Sequence, residues 1–174
     1  MVLTDWAADG RFLTFYSGGV VLVAPLSANQ TGLERKAMEW LRDESSVAYG
    51  LFSPDSRLMA YVSNEVNEVY VRPFDARKPD AGTGGADPVR VSTAGARAMI
   101  YWRPDGKEIY YLTPDWEVMA VDVITNPAFK TGMPRLLFKL PGPLPGNPQL
   151  WKNVSGDGQR FVFTINVPVS VSAR

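Results

Sequence analysis

The 174-residue sequence contains no cysteine and no histidine. Without cysteine, the chain has neither disulfide bonds nor thiolate ligands for a metal ion. Without histidine, it lacks the commonest general base of enzymes and the commonest neutral metal ligand, which excludes Ser-His-Asp and Cys-His catalysis. No nucleophile elbow or phosphate-binding loop is present either. We therefore expect no cofactor, no metal and no enzymatic activity.

Long apolar runs and an excess of charge of one sign are missing as well. No apolar stretch approaches the roughly 20 residues of a membrane-spanning helix, and the first residues lack the pattern of a signal peptide. The 18 basic residues balance 18 acidic ones, so net charge does not favour nucleic acid or an acidic membrane surface. As written, the chain is expected to be cytoplasmic, with no nucleic-acid or membrane partner. If it is a fragment of a longer chain, its location is unknown.

One short pattern recurs four times along the chain, each time around an aspartate followed by glycine or serine. The aspartates lie 46, 50 and 52 residues apart, at Asp9, Asp55, Asp105 and Asp157. This period is close to the roughly 40–50 residues of a β-propeller blade. Aspartate accepts backbone hydrogen bonds and glycine tolerates positive φ, so the clusters are typical of tight hairpins. We assign all four aspartates a structural role in these turns.

Apolar residues alternate on both sides of each turn, as expected of strands. The positions four and six residues after the aspartates hold Leu13 and Phe15, Met59 and Tyr61, Ile109 and Tyr111, and Phe161 and Phe163. The sequence thus predicts an all-β fold, a partial β-propeller of about 3.5 four-stranded antiparallel blades. The blades span about 1–43, 44–93 and 94–140, and a half blade spans about 149–167. Residues 33–42 are ambiguous, because their apolar spacing also suits a helical turn.

Two further positions of the repeat carry large side chains. The first is predicted to lie in the core and holds Trp6, Phe52 and Trp102. The second lies six residues before the aspartate, on the predicted innermost strand, and holds Tyr49, Met99 and Trp151. Trp116 stands apart at a predicted hairpin tip, where an exposed tryptophan favours contact with a partner. Candidates for lining a channel or a subunit interface are therefore Tyr49, Met99, Trp116 and Trp151.

The second and third repeats resemble a known family. The segment from Phe52-Ser53-Pro54-Asp55 to Val71-Arg72-Pro73-Phe74, and that from Trp102-Arg103-Pro104-Asp105-Gly106-Lys107 to Tyr111, are similar to TolB-like β-propeller repeats. Residues 61–74 are also similar to repeats found C-terminal to some bacterial serine/threonine kinases. The resemblance implies four-stranded blades around a channel, usually six or more to a ring, in interaction or sensing modules. The kinase motifs themselves are absent.

The number of repeats is too small for a closed ring. Each blade buries its faces against its neighbours, so an open array exposes apolar faces and unpaired strand edges that favour association. We expect a non-catalytic β-propeller-type interaction module that self-associates through its open blade faces, as a homodimer or other homo-oligomer. Those faces also suit another protein partner. The alternative is a ligand-sensing propeller fragment of a larger kinase- or hydrolase-linked protein.

Overall fold

The computed structural model describes residues 1–26, 36–42, 46–80, 87–142 and 154–163, with the backbone alone for Ala98 and Met99. Within these ranges all regular secondary structure is β, in 13 strands that form three antiparallel sheets. No helix with the length and hydrophobicity to cross a membrane occurs in these ranges. The predicted all-β fold is therefore confirmed.

Consecutive strands pair within each sheet. Sheet 1 contains β1 (Val2–Trp6), β2 (Phe12–Ser17), β3 (Val20–Pro25) and β4 (Met38–Arg42). Sheet 2 contains β5 (Val47–Phe52), β6 (Leu58–Ser63), β7 (Glu68–Pro73) and β8 (Val89–Arg90). Sheet 3 contains β9 (Arg97–Trp102), β10 (Glu108–Leu112), β11 (Glu117–Ile124), β12 (Lys130–Thr131) and β13 (Arg135–Lys139). Sheet 3 gains a fifth strand because both β12 and β13 pair with β11. The ambiguous segment 33–42 forms a strand from residue 38, whereas 33–35 lie outside the described residues.

The four repeated aspartates lie in the hairpin turns. Each accepts a hydrogen bond from the backbone N–H two residues further on, at 3.0–3.2 Å, and the acceptors are Asp9, Asp55, Asp105 and Asp157. The following residue has positive φ in every copy, at Gly10, Ser56, Gly106 and Gly158. These bonds explain why aspartate and usually glycine recur together, since the side chain supplies the acceptor and glycine adopts the left-handed conformation without strain.

The sheets stack face to face, and each has a face directed toward the preceding sheet, called here the leading face. In sheet 2 this face carries Met59 and Tyr61, which pack against sheet 1. In sheet 3 it carries the equivalent Ile109 and Tyr111, which pack against sheet 2. All four side chains are buried. The repeated alternation seen in the sequence therefore marks the residues that pack one sheet against the sheet before it.

The leading face of sheet 1 has no sheet packed on it within the described ranges. It carries Leu13 and Phe15, which are half-buried, and strand pairing places Leu3, Trp6 and Leu22 beside them. Trp6 is 58% exposed, whereas the equivalent Phe52 and Trp102 are each 5% exposed. The prediction that Trp6 lies in the core is therefore wrong. Its equivalents are covered by a neighbouring sheet, whereas none of the described sheets covers Trp6.

A fourth hairpin lies on the opposite end of the stack. Val154 and Phe161 form an antiparallel bridge, and the Phe161 ring contacts Tyr110 and Phe138 of sheet 3 edge to face, at 5.2 Å between centroids in each pair. Phe163 also packs on Phe138. This hairpin covers the face of sheet 3 that points away from sheet 2. Among the described residues, nothing equivalent covers the leading face of sheet 1.

Candidate functional site

A cleft of about 420 Å³ lies between the inner strands of sheets 2 and 3, beside the end of strand β2. Its volume falls within the usual range of small-molecule sites. The side chains with polar or aromatic groups along it are Tyr16, Tyr49, Asn64, Asn67 and Arg97. We call it the inter-sheet cleft. All three sheets contribute to it, so it exists only because the sheets stack.

Tyr49 reaches this cleft from a β-bulge. The pairing of β5 with β6 shifts between Ala48 and Leu51, and Tyr49 adopts a positive φ of 59°. A positive φ is costly for a residue with a side chain, so the surrounding structure must hold it. The Tyr49 ring stacks on Tyr16 of sheet 1, with centroids 5.6 Å apart. The bulge thus turns an aromatic ring of one sheet onto a ring of the next.

The bulge is fixed from sheet 1 by hydrogen bonds. The hydroxyls of Thr14 and Thr4 both donate to the Gly50 carbonyl, at 2.7 and 3.0 Å. Further along the same strand, the Asp5 carboxylate accepts a hydrogen bond from the Phe52 backbone N–H at 2.8 Å. These bonds satisfy backbone groups that the bulge and the strand end leave out of the ladder. Sheet 1 therefore determines the conformation of the strand that carries Tyr49.

Arg97 supplies the positive charge of the cleft. Its guanidinium lies over the ring of Trp116, 4.4 Å from the centroid, a cation–π geometry that orients the group without neutralising it. In the described part of the chain Arg97 has no ion-pair partner. Trp116 occupies the turn between β10 and β11 with a φ of 65°. The cleft thus contains an oriented guanidinium whose N–H groups are available to a ligand.

The segment that leads into Arg97 is anchored by a buried carboxylate, that of Glu68. One of its oxygens accepts hydrogen bonds from Arg90 at 2.6 Å and from the Gly95 backbone N–H at 3.1 Å. The Ser92 hydroxyl donates to its other oxygen. Buried carboxylates that are paired and hydrogen-bonded in this way keep their partners in one arrangement. Glu68 therefore stabilises the connection between sheets 2 and 3 through these hydrogen bonds.

The structure places two of the four predicted interface or channel residues at this cleft. Tyr49 lines it, and Trp116 lies against Arg97. The Met99 side chain and Trp151 lie outside the described residues. Sequence reasoning missed Tyr16 and Arg97, which belong to different sheets. No local pattern indicates that such distant residues meet, because their proximity depends on how the sheets stack.

A second cleft of about 360 Å³ lies at the opposite ends of the strands, near the aspartate turns. It is lined by Asp5, Trp6 and Phe52 on one side and by Tyr101 and Trp102 on the other. Its carboxylate, Asp5, already accepts the Phe52 hydrogen bond. Among the described residues, no group of acidic side chains converges in a way that would hold a metal ion.

A charged cluster centred on Glu108 lies in sheet 3, in a cleft that the fourth hairpin also lines. Its buried carboxylate accepts hydrogen bonds from Arg103 at 2.6 Å and from Tyr110 at 2.7 Å, and it also pairs with Arg135. Burial by itself would raise the pKa of Glu108, but the Tyr110 hydrogen bond and the two arginines outweigh burial and lower that pKa. Glu108 is therefore a stabilising anion rather than a proton donor.

The pH dependence of stability follows from this lowered pKa. Because folded Glu108 binds its proton more weakly than unfolded Glu108, its contribution is complete above the unfolded pKa and is lost as the pH falls through the folded one. We expect Glu108→Gln to cost about 1–2 kcal/mol at neutral pH. Urea unfolding of both proteins at neutral pH and at acid pH should show the difference shrinking toward acid. A difference that is constant with pH would contradict this role.

No protein-family model matches the chain, and no curated protein matches it. Among solved structures, the chain is similar to a "putative 6-phosphogluconolactonase" from Bacteroides uniformis, at 16% identity and a TM-score of 0.56, over 89% of this chain and 44% of that one. A "putative 6-phosphogluconolactonase" from Bacteroides fragilis gives 15% identity and a TM-score of 0.52, over 78% and 37%. A protein from Lactobacillus plantarum gives 18% identity and a TM-score of 0.52, over 75% of this chain and 40% of that one.

The fold is that of a partial β-propeller. At these identities the likeness shows the propeller fold alone, and the chain spans less than half the length of each neighbour.

These comparisons correct one prediction and leave another open. The prediction that the chain is not an enzyme was wrong, because two of the similar propellers are named as lactonases, and the fold therefore gives no ground for excluding catalysis. The absence of histidine removes particular mechanisms and not enzymatic function as a whole. The finer assignment to TolB-like repeats stays a prediction.

Proposed function

We propose that this propeller section is an interaction module that self-associates, with the leading face of sheet 1 as its contact surface. The proposal depends on a difference in exposure between equivalent residues of the three sheets. Trp6 is 58% exposed, while its equivalents Phe52 and Trp102 are buried between sheets. The residues of an inter-sheet interface are thus present on sheet 1, and no sheet in the described part of the chain covers them. A face that carries exposed and half-buried apolar side chains together is typical of a protein–protein contact.

A second copy of the chain has a suitable complement to this surface. Phe161 and Phe163 of the fourth hairpin face sheet 3. Val162 lies between them, is 66% exposed and points the opposite way, since neighbouring residues of an extended segment alternate in direction. That side of the hairpin is where a further sheet would pack. We propose that the hairpin of one protomer covers sheet 1 of the other.

The expected assembly is a ring of two protomers. Contacts between unlike surfaces close into a ring when the rotation between subunits is right, and ring closure removes the open faces of a propeller. Since 89% of this chain matches 44% of the first structural neighbour, two copies have about the length of one such protein. That correspondence supports a dimer over a larger ring.

The test is the solution mass of the wild type and of Trp6→Glu. Light scattering at micromolar concentration should give twice the 19.2 kDa of one chain for the wild type. Trp6→Glu should give a single chain, because a carboxylate buried in an apolar interface without a partner costs several kcal/mol. Circular dichroism should show that both proteins are folded.

The matched control is Ile124→Glu, at a residue of sheet 3 that is also 58% exposed but lies outside the proposed surface. It should leave the dimer mass unchanged. A folded wild-type monomer across the micromolar range would overturn the proposal. Dissociation by Ile124→Glu to the same extent as by Trp6→Glu would also overturn it, because an added charge would then dissociate the dimer whatever its position.

A ligand-sensing role within a larger protein is the second candidate, and the inter-sheet cleft favours it. The cleft has the volume of a small-molecule site, and its walls come from one chain. This role is compatible with self-association, because the cleft and the leading face of sheet 1 use different residues.

A further inference from the structure

We propose that the inter-sheet cleft binds a small organic anion, a molecule that carries a carboxylate or phosphate group, through Arg97. This inference goes beyond self-association and does not depend on it. The group that would meet the anion is a guanidinium held over the Trp116 ring. Arginine binds carboxylate and phosphate with parallel N–H donors, which gives both strength and orientation.

The charge of Arg97 is available in a way that the charges of most other arginines in the described ranges are not. Arg11, Arg42, Arg57 and Arg77 each pair with a carboxylate two or three residues away, and Arg103 and Arg135 pair with Glu108. In the described residues Arg97 instead has only the face of an aromatic ring. A ring face orients a guanidinium but leaves its N–H donors without acceptors.

The neighbourhood of Arg97 does not supply the missing anion. The carboxylate that anchors the preceding segment, Glu68, is buried and already accepts bonds from Arg90, Ser92 and Gly95. These hydrogen bonds fix the position of the segment. Arg97 at its end is thereby directed to the cleft, and the residues that fix the segment do not neutralise its charge. A site that is ordered before the ligand arrives loses less entropy on binding.

The rest of the cleft indicates an organic ligand rather than a bare inorganic ion. The stacked rings of Tyr16 and Tyr49 line the same cleft with aromatic surface and hydroxyl groups. Asn64 and Asn67 add amide groups at the rim. A wall of aromatic surface with a few polar groups and one charge is the usual composition of a small-molecule site. An anion with a hydroxylated or ring-shaped body would use the whole cleft, whereas an inorganic ion would use Arg97 alone.

Titration calorimetry with three probes tests the proposal: 6-phosphogluconate, gluconate and inorganic phosphate. We expect at least one of the two organic anions to bind the wild type more tightly than inorganic phosphate does. Arg97→Gln should weaken that binding at least about tenfold, since it removes a charge-assisted hydrogen bond. Arg97→Lys should bind more tightly than Arg97→Gln but less tightly than the wild type, because lysine keeps the charge and lacks the parallel N–H donors of the guanidinium.

The control is Arg77→Gln, which removes the same charge from an exposed arginine that pairs with Asp75 outside the cleft. It should leave affinity within about twofold, because screened surface charges act weakly at a distance. The monomeric Trp6→Glu variant should bind as the wild type does, which separates this inference from the proposed dimer. Absence of binding by both organic anions at millimolar concentration would overturn the proposal. An equal or tighter affinity for inorganic phosphate would do the same, as would equal losses in Arg97→Gln and Arg77→Gln.

Discussion

Replacing Trp102 with alanine is expected to lower the free energy of unfolding by about 3–5 kcal/mol. The indole ring is buried between sheets 2 and 3 and contacts Phe129 edge to face at 6.1 Å. Its removal takes a large apolar surface out of the interface and leaves a cavity between two sheets that cannot both collapse onto it. Urea unfolding followed by circular dichroism measures the loss.

Two variants control for this effect. Trp6→Ala changes the same residue type at the same repeat position, but Trp6 is exposed in a single chain. When the wild type and Trp6→Ala are compared at a concentration at which light scattering shows both to be monomeric, Trp6→Ala should therefore cost less than about 1 kcal/mol. Trp102→Phe should also cost little, because Phe52 occupies the equivalent position and the Trp102 Nε1–H has no hydrogen-bond partner among the described residues. Equal losses in Trp6→Ala and Trp102→Ala would mean that burial between sheets is not what distinguishes the two tryptophans.

The second large effect is expected at Gly50, which lies in the bulge of β5. A Cβ atom there would approach Val21 Cγ1 to 2.5 Å and Met59 Sδ to 2.9 Å. Both neighbours are buried, so an added methyl group must displace packed side chains or the strand itself. We expect Gly50→Ala to destabilise the fold by about 1–3 kcal/mol, measured by urea unfolding.

The mechanism of this effect can be checked by adding space at the point of collision. In the double variant Gly50→Ala, Val21→Ala the nearest methyl group is gone, so the combined loss should be smaller than the sum of the single losses. Gly156→Ala serves as the control, because a Cβ there meets nothing within 4 Å, and it should change stability by less than about 0.5 kcal/mol. Strict additivity of the two core substitutions would contradict the proposed collision.

The position of Gly50 also links stability to the inter-sheet cleft. Its carbonyl accepts the hydrogen bonds of Thr4 and Thr14, and Tyr49 beside it holds a positive φ. A substitution that shifts the bulge should therefore move the Tyr49 ring as well. Anion binding by Gly50→Ala, if it is weaker than in the wild type, would reflect this coupling and not a direct contact.

The sequence by itself determined the strands, the turns and the repeat. Alternating apolar residues fix which side chains of a strand share a face, and the aspartate clusters fix where strands end, since both signals act between residues close in the chain. For this reason the predicted alternating positions lie in observed strands, for example Met59 and Tyr61 in Leu58–Ser63 and Ile109 and Tyr111 in Glu108–Leu112.

Only the tertiary structure decided which repeat positions are covered and which side chains meet at a site. Trp6 and Trp102 are equivalent in the sequence, yet one is exposed and the other buried, because burial depends on the neighbouring sheet. Arg97 meets Trp116, and Tyr16 meets Tyr49, through bulges and stacking that no local pattern encodes. Local chemistry fixes the repeating unit, whereas function at its surfaces arises from contacts between units far apart in the chain.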